Sequence, residues 1–228
     1  PITARAETSN IADCLLEPTW CEALPGVACE PGEGTWLLFA DDAGIAPHIA
    51  RQLRESGRHV ITVRNGDAYA GLHADACEVN PRSSDDYEQL FATVRGAGHE
   101  LAGVIHLWGC RPASSVAAEL PAPNAEIERG LASLFHLAQA LARHQLIVPR
   151  LVELLVVTWD GQPFDDDQLR LAPERAGVGI FLNALRLESN SLNCRAVDIA
   201  SHDVSGAPDA AAATAGIVWE ELHLERPE

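Results

Sequence analysis

Short apolar runs of strand length alternate along this chain with stretches whose apolar residues recur at helical spacing. Trp36 to Ala40 is a continuous apolar run, the mark of a strand buried on both faces. Ile45, Ile49 and Leu53 then repeat every fourth residue until Gly57 stops the helix, and His59 to Val63 supplies the next strand. The order recurs. Ser83 to Ala97 predicts a helix with Tyr87, Leu90, Phe91 and Val94 on one face, opened by Ser84 as a cap with acids behind it. Leu101 to Trp108 predicts a buried strand. A Pro-rich loop from Pro112 to Pro123 leads into a long helix carrying Ile127, Leu131, Leu134, Phe135, Ala138 and Leu141 on one stripe. Leu151 to Thr158 is a strand and Asp160 to Gln168 a polar loop. A helix over Glu174 to Ser189 buries Val178, Phe181, Leu182 and Leu185, Cys194 to Ile199 is a strand, and an alanine-rich helix runs from Pro208 to Leu222. Such alternation predicts an α/β fold, a parallel sheet with helices on both faces.

The start of the chain breaks this regularity. Residues 1–13 are polar and unpatterned, as a linker is, and residues 14–228 are expected to form one domain. Leu15 to Trp20 offers a short strand interrupted by Pro18, followed by a Gly/Pro-rich loop from Pro25 to Gly34.

Composition narrows the function classes. The net charge of −17 over 228 residues disfavours nucleic acid and anionic membrane as partners through long-range repulsion. No apolar run approaches the roughly 20 residues that a membrane helix needs. The six cysteines are scattered, with no Cys-x-x-Cys pair, and are expected as reduced thiols in a cytoplasmic protein. All 16 basic residues are arginine. With no lysine, the chain lacks the Tyr-x-x-x-Lys pair of short-chain reductases, a P-loop lysine and any Schiff base.

In an open α/β sheet a ligand sits beyond the carboxyl ends of the strands. The segment Gly34 to His48 places Asp41 and Asp42 in the first such turn, where glycines would let a pyrophosphate approach, and only Gly44 of a G-x-G-x-x-G pattern is present. The two acids are expected to repel phosphate, so no cofactor-binding residue is assigned. Arg64 stands where a 2′-phosphate could be held, although an arginine after a strand is more often a surface charge. Thr158 falls where a short-chain reductase carries a serine, but the following helix offers no tyrosine or lysine, and the two tyrosines, Tyr69 and Tyr87, lie in the first half. His106 on a strand, and His136 and Gln139 on a helix, lack metal-ligand spacing, and Asp165, Asp166 and Asp167 read as a solvated acidic loop. Neither a catalytic nor a metal site is assigned.

Several blocks in order resemble one family. Thr35-Trp-Leu-Leu-Phe-Ala-Asp-Asp, Asn80-Pro-Arg-Ser-Ser-Asp-Asp-Tyr-Glu-Gln-Leu, Val104-Ile-His-Leu-Trp-Gly, Glu153-Leu-Leu-Val-Val-Thr and Asn193-Cys-Arg-Ala-Val-Asp-Ile are similar to the N-terminal half of ketoreductase domains of modular type I polyketide synthases. The resemblance implies a truncated Rossmann-like, short-chain dehydrogenase/reductase-like subdomain without catalytic residues. It implies as partner a second subdomain that binds NADPH and reduces a β-ketoacyl group on a carrier protein, together with other domains of a cytoplasmic synthase. Leu15, Trp20, Val218 and Leu222 are the expected contacts with that second subdomain. Two other readings remain open: a freestanding pseudo-ketoreductase that docks a neighbouring synthase domain such as a methyltransferase, and an independent NADP(H)-dependent reductase.

Overall fold

Strands without a polar face must be covered from both sides, and the computed structural model arranges them so. It describes residues 26–111, 123–145, 151–163, 171–201, 204 and 209–225. The elements in chain order are β1 (Val27–Ala28), β2 (Thr35–Phe39), α1 (Ile45–Glu55), β3 (His59–Asn65), β4 (Ala70–His73), β5 (Ala76–Val79), α2 (Ser84–Gly96) and β6 (Leu101–Gly109). A short α3 (Pro123–Ile127) passes through a π-turn at Glu128–Ala132 into α4 (Ser133–Gln145). Then come β7 (Val152–Trp159), α5 (Gly177–Glu188), β8 (Leu192–Ile199), α6 (Ala210–Leu222) and β9 (Leu224–Glu225). The seven-stranded sheet has the order β4-β5-β3-β2-β6-β7-β8. All its neighbours are parallel except β4 and β5.

Two cores flank the sheet. On one side α1 and α6 pack Ile49, Leu53 and Val218 against Trp36 and Leu38. On the other, α2, α4 and α5 bring Tyr87, Leu137 and Val178 onto Phe39, Val104 and Val156. Gly103 lets β6 pass beneath the ring of Trp36, which would overlap any Cβ at that position. A separate antiparallel ribbon pairs β1 with β9, in register Val27 to Glu225.

Several expectations need correction. The sheet is mostly parallel, as expected, with an added antiparallel edge where β4 folds back on β5 through Ala74 and Asp75, whose φ angles are 49° and 59°. Such a two-residue turn usually announces itself with Asn-Gly, which is absent here. The cap of α2 is Ser83 rather than Ser84, its side chain accepting from the Asp86 amide. The Pro25 to Gly34 loop contains β1. The long helix does not carry a single apolar stripe: Phe135 is 49% and Ile127 41% exposed, while Leu134, Leu137, Ala138 and Leu141 face the core. The π-turn rotates residues before Ser133 relative to those after it. Residues 1–13, Leu15 to Trp20 and Asp165 to Asp167 lie outside the described residues.

Candidate functional site

The turn after β2 is closed on itself by Asp41. The Asp41 carboxylate accepts the amide protons of Ile45 at 2.9 Å and Ala46 at 2.8 Å, the first two residues of α1. Gly44 has φ 91° in the approach to the helix, a conformation that suits glycine. These are the donors that a Rossmann turn offers to a pyrophosphate. Asp41 therefore does more than repel an anion: it takes up the donors itself.

Beside it, a chain of charges crosses the carboxyl ends of the strands. Asp42 accepts from Arg129 at 3.1 Å and lies 3.9 Å from Arg111. Arg111 donates to Glu126 at 3.0 Å, and Glu126 lies 3.9 Å from Arg175. Arg175 is buried, and one guanidinium nitrogen donates to the carbonyls of Trp159 at 2.7 Å and Arg111 at 3.0 Å. A buried charge needs such partners. The arginine thus pins the loops after β6 and β7 together.

Thr158, near the carboxyl end of β7, is equally committed. Its hydroxyl donates to Asp198 at 2.5 Å, and the same carboxylate accepts the amides of Gly161 at 3.0 Å and Gln162 at 2.9 Å. Burial pushes the Asp198 carboxyl up, opposed by those three donors and assisted by nearby Asp160. Asp160 in turn accepts the Ser201 amide at 2.8 Å. The polar groups thus stitch β7 to β8 instead of facing an open crevice.

The other singled-out residues are dispersed. Arg64 is exposed on β3 across from Glu78. Tyr69 donates to Thr93 at 2.8 Å, and Tyr87 is buried against Phe39. His106 is a core histidine, its Nε2 3.0 Å from Ser133 Oγ. Ser133 spends its one hydrogen on the Arg129 or Gly130 carbonyl, at 2.5 and 2.8 Å, so Nε2–H of His106 is the donor to it. Burial pushes the His106 pKa down to about 3 and also lowers that of His136. Gln139 is half-buried on α4. Burial pushes the thiols of Cys77 and Cys194 up to about 12 and about 11, which keeps them protonated and poorly nucleophilic. Among the described residues no group of three His, Cys, Asp or Glu side chains forms a metal-ligand set. Likewise, among the described residues no helix is long and apolar enough to cross a membrane.

The expected contact residues fare differently. Leu15 and Trp20 lie outside the described residues. Val218 and Leu222 are a correction: at 0% and 1% exposure they belong to the core that α6 shares with α1, leaving no side-chain surface for a partner. Arg175, Glu126, Ser133 and Asp198 were not singled out from the sequence. Arg175 carried a usable signal, because a cation just before a helix opposes the helix dipole and calls for another partner.

Comparison with known proteins places this geometry. The family model described as "Beta-ketoacyl synthase-like, N-terminal" matches residues 34–210. The chain belongs to that family. No curated protein matches it in sequence. Among solved structures, it is similar to the "adenylation, ketoreductase, and pseudo Asub multidomain structure of a keto acid-selecting NRPS module", with 22% identity and TM-score 0.75, covering 91% of this chain and 16% of that one. It is also similar to "an N-terminal ketoreductase from macrolactin assembly line", with 21% identity and TM-score 0.69, covering 87% of this chain and 39% of that one. An actinorhodin polyketide ketoreductase with NADPH matches at 18% identity and TM-score 0.59, over 85% of this chain and 92% of that one. At these identities the likeness shows the fold, a short-chain dehydrogenase/reductase-like Rossmann sheet. The family member described here spans only 16% and 39% of the first two chains it matches.

Replacing Asp41 by Ala removes the acceptor from the first amides of α1 and is expected to destabilise the chain by about 1 kcal/mol, read as a lower urea midpoint. An unchanged midpoint would mean that water serves those amides equally well. His106 gives a pH signature. Its folded pKa near 3 lies below the ordinary 6.5, so between those values the unfolded chain binds the extra proton and stability falls as pH falls. The slope for one such group is up to about 1.4 kcal/mol per pH unit. In urea melts from pH 7 to 4, His106→Gln is expected to lose that share of the slope; parallel profiles would assign the acid sensitivity elsewhere.

Proposed function

We propose that this chain is a noncatalytic structural subdomain of a polyketide synthase ketoreductase, packing against and stabilising the NADPH-binding subdomain that reduces a β-ketoacyl group on a carrier protein. The observation that carries this reading is Asp41, whose carboxylate takes the two helix amides that would otherwise serve a cofactor's pyrophosphate. The engagement of Thr158 by Asp198 supports it from the chemical side, since a hydroxyl donated to a carboxylate is not free to polarise a ketone. The family description and the ketoreductase folds support it from outside, because a β-ketoacyl group is what a condensing synthase makes and a ketoreductase consumes. The NADPH named for a solved neighbour would belong, in this reading, to the second subdomain.

A buttress needs a surface, and α5 supplies one in place of Val218 and Leu222. Ile180 and Leu187, seven residues apart on its outer side, are 75% and 84% exposed. Phe135 on α4 adds a third exposed apolar side chain on the same side of the sheet. Covering such residues contributes about 25 cal/mol for each Å² of apolar surface removed from water.

Calorimetric titration of the isolated chain with NADPH is expected to give no saturable heat up to millimolar cofactor. Micromolar binding would overturn the noncatalytic reading. The Ile180→Glu, Leu187→Glu double variant is expected to keep its far-UV spectrum and lose at least tenfold in affinity for the cofactor-binding subdomain of its synthase. Unchanged affinity would move the contact away from α5.

A further inference from the structure

The carboxyl ends of β6 and β7 enclose a small cavity against α4 and the start of α5, with His106, Trp108, Glu126, Thr158 and Arg175 on its lining and room for about one water molecule. Three of these side chains carry a buried polar atom without a hydrogen-bond partner among the described residues: His106 Nδ1, Trp108 Nε1 and Arg175 Nε. Their residues are 1%, 2% and 7% exposed, so bulk solvent does not serve them. The Glu174 carboxylate lies 3.9 Å from Arg175 Nε, beyond hydrogen-bonding distance.

Their chemistry defines what fits between them. The indole and the guanidinium are donors only. His106 Nδ1 is an acceptor, because the ring is neutral and its Nε2–H is already donated to Ser133. Two donors and one acceptor are complementary to a single water oxygen that accepts twice and donates once. Thr158 and Glu126, both with acceptor oxygens, stand on the same lining for the second water hydrogen. An anion would satisfy the donors but face the lone pair of His106 and the charge of Glu126. A cation would meet Arg175.

From this complementarity we infer that one long-lived structural water occupies the cavity, bridging His106 Nδ1, Trp108 Nε1–H and Arg175 Nε–H. It completes the polar closure of the crevice and is independent of the function proposed above. The test uses the full chain labelled with nitrogen-15. Through-bond assignment identifies the Trp108 indole and Arg175 Nε protons, and Trp108→Phe confirms the first by its disappearance. Both protons are expected to show cross-relaxation with water, of the sign that marks residence longer than molecular tumbling, and the Arg175 signal is expected to persist in the variant. Assignment in the native chain keeps the test valid even where the variant fails to fold. Absence of the water signal at both protons overturns the inference. So does a saturable shift of both resonances on chloride addition at constant ionic strength, which would make the occupant an anion.

Discussion

The bond between the Asp41 carboxylate and the first amides of α1 governs what the carboxyl end of this sheet can do. A helix start after the first strand of an open α/β sheet is an anion site by construction, because its amides have no partner within the helix. Here a covalently attached anion fills it at effectively unlimited local concentration. A competing phosphate would have to displace that carboxylate and then tolerate both acids nearby. The charge chain through Asp42, Arg111, Glu126 and Arg175 extends the same closure toward β7, and the Thr158 to Asp198 bond finishes it. Together these groups form a hydrogen-bonded and ion-paired seam along the carboxyl ends of the strands.

The sheet was legible in the sequence because each central strand is apolar without interruption. Trp36 to Ala40 and Val104 to Trp108 can only be buried on both faces, and the helices between them show their own period. What escaped were features whose residues look ordinary out of context. The β4–β5 hairpin turns on Ala74 and Asp75, a pair with no turn signature, and β4 has no apolar run to announce it. The π-turn before Ser133 cannot be seen as a period, since it shifts a stripe by one residue without changing composition. Phe135 lies at the surface for a simpler reason: within α4 the buried face is Leu134, Leu137, Ala138 and Leu141, and Phe135 stands about 100° round the helix from Leu134.

At the site the sequence showed which residue types are absent more clearly than how the present ones pair. The absence of lysine and of the glycine pattern could be counted. That Asp41 points back to its own helix, or that Arg175 reaches two carbonyls from neighbouring loops, depends on where loops meet in space. Val218 and Leu222 were misplaced for a related reason. A C-terminal apolar helix was taken as a margin, whereas α6 closes the α1 side of the core as fully as any interior element.

The β1–β9 ribbon ties together two segments that lie far apart in sequence. Its two strands run antiparallel side by side, joined by a 2.8 Å bond from the Cys29 amide to the His223 carbonyl. The ribbon thus brings residues 27–28 and 224–225 together at one corner of the described body. Fraying of either strand would cost the other its partner, so the approach to β2 and the exit from α6 are held or released as one cooperative unit.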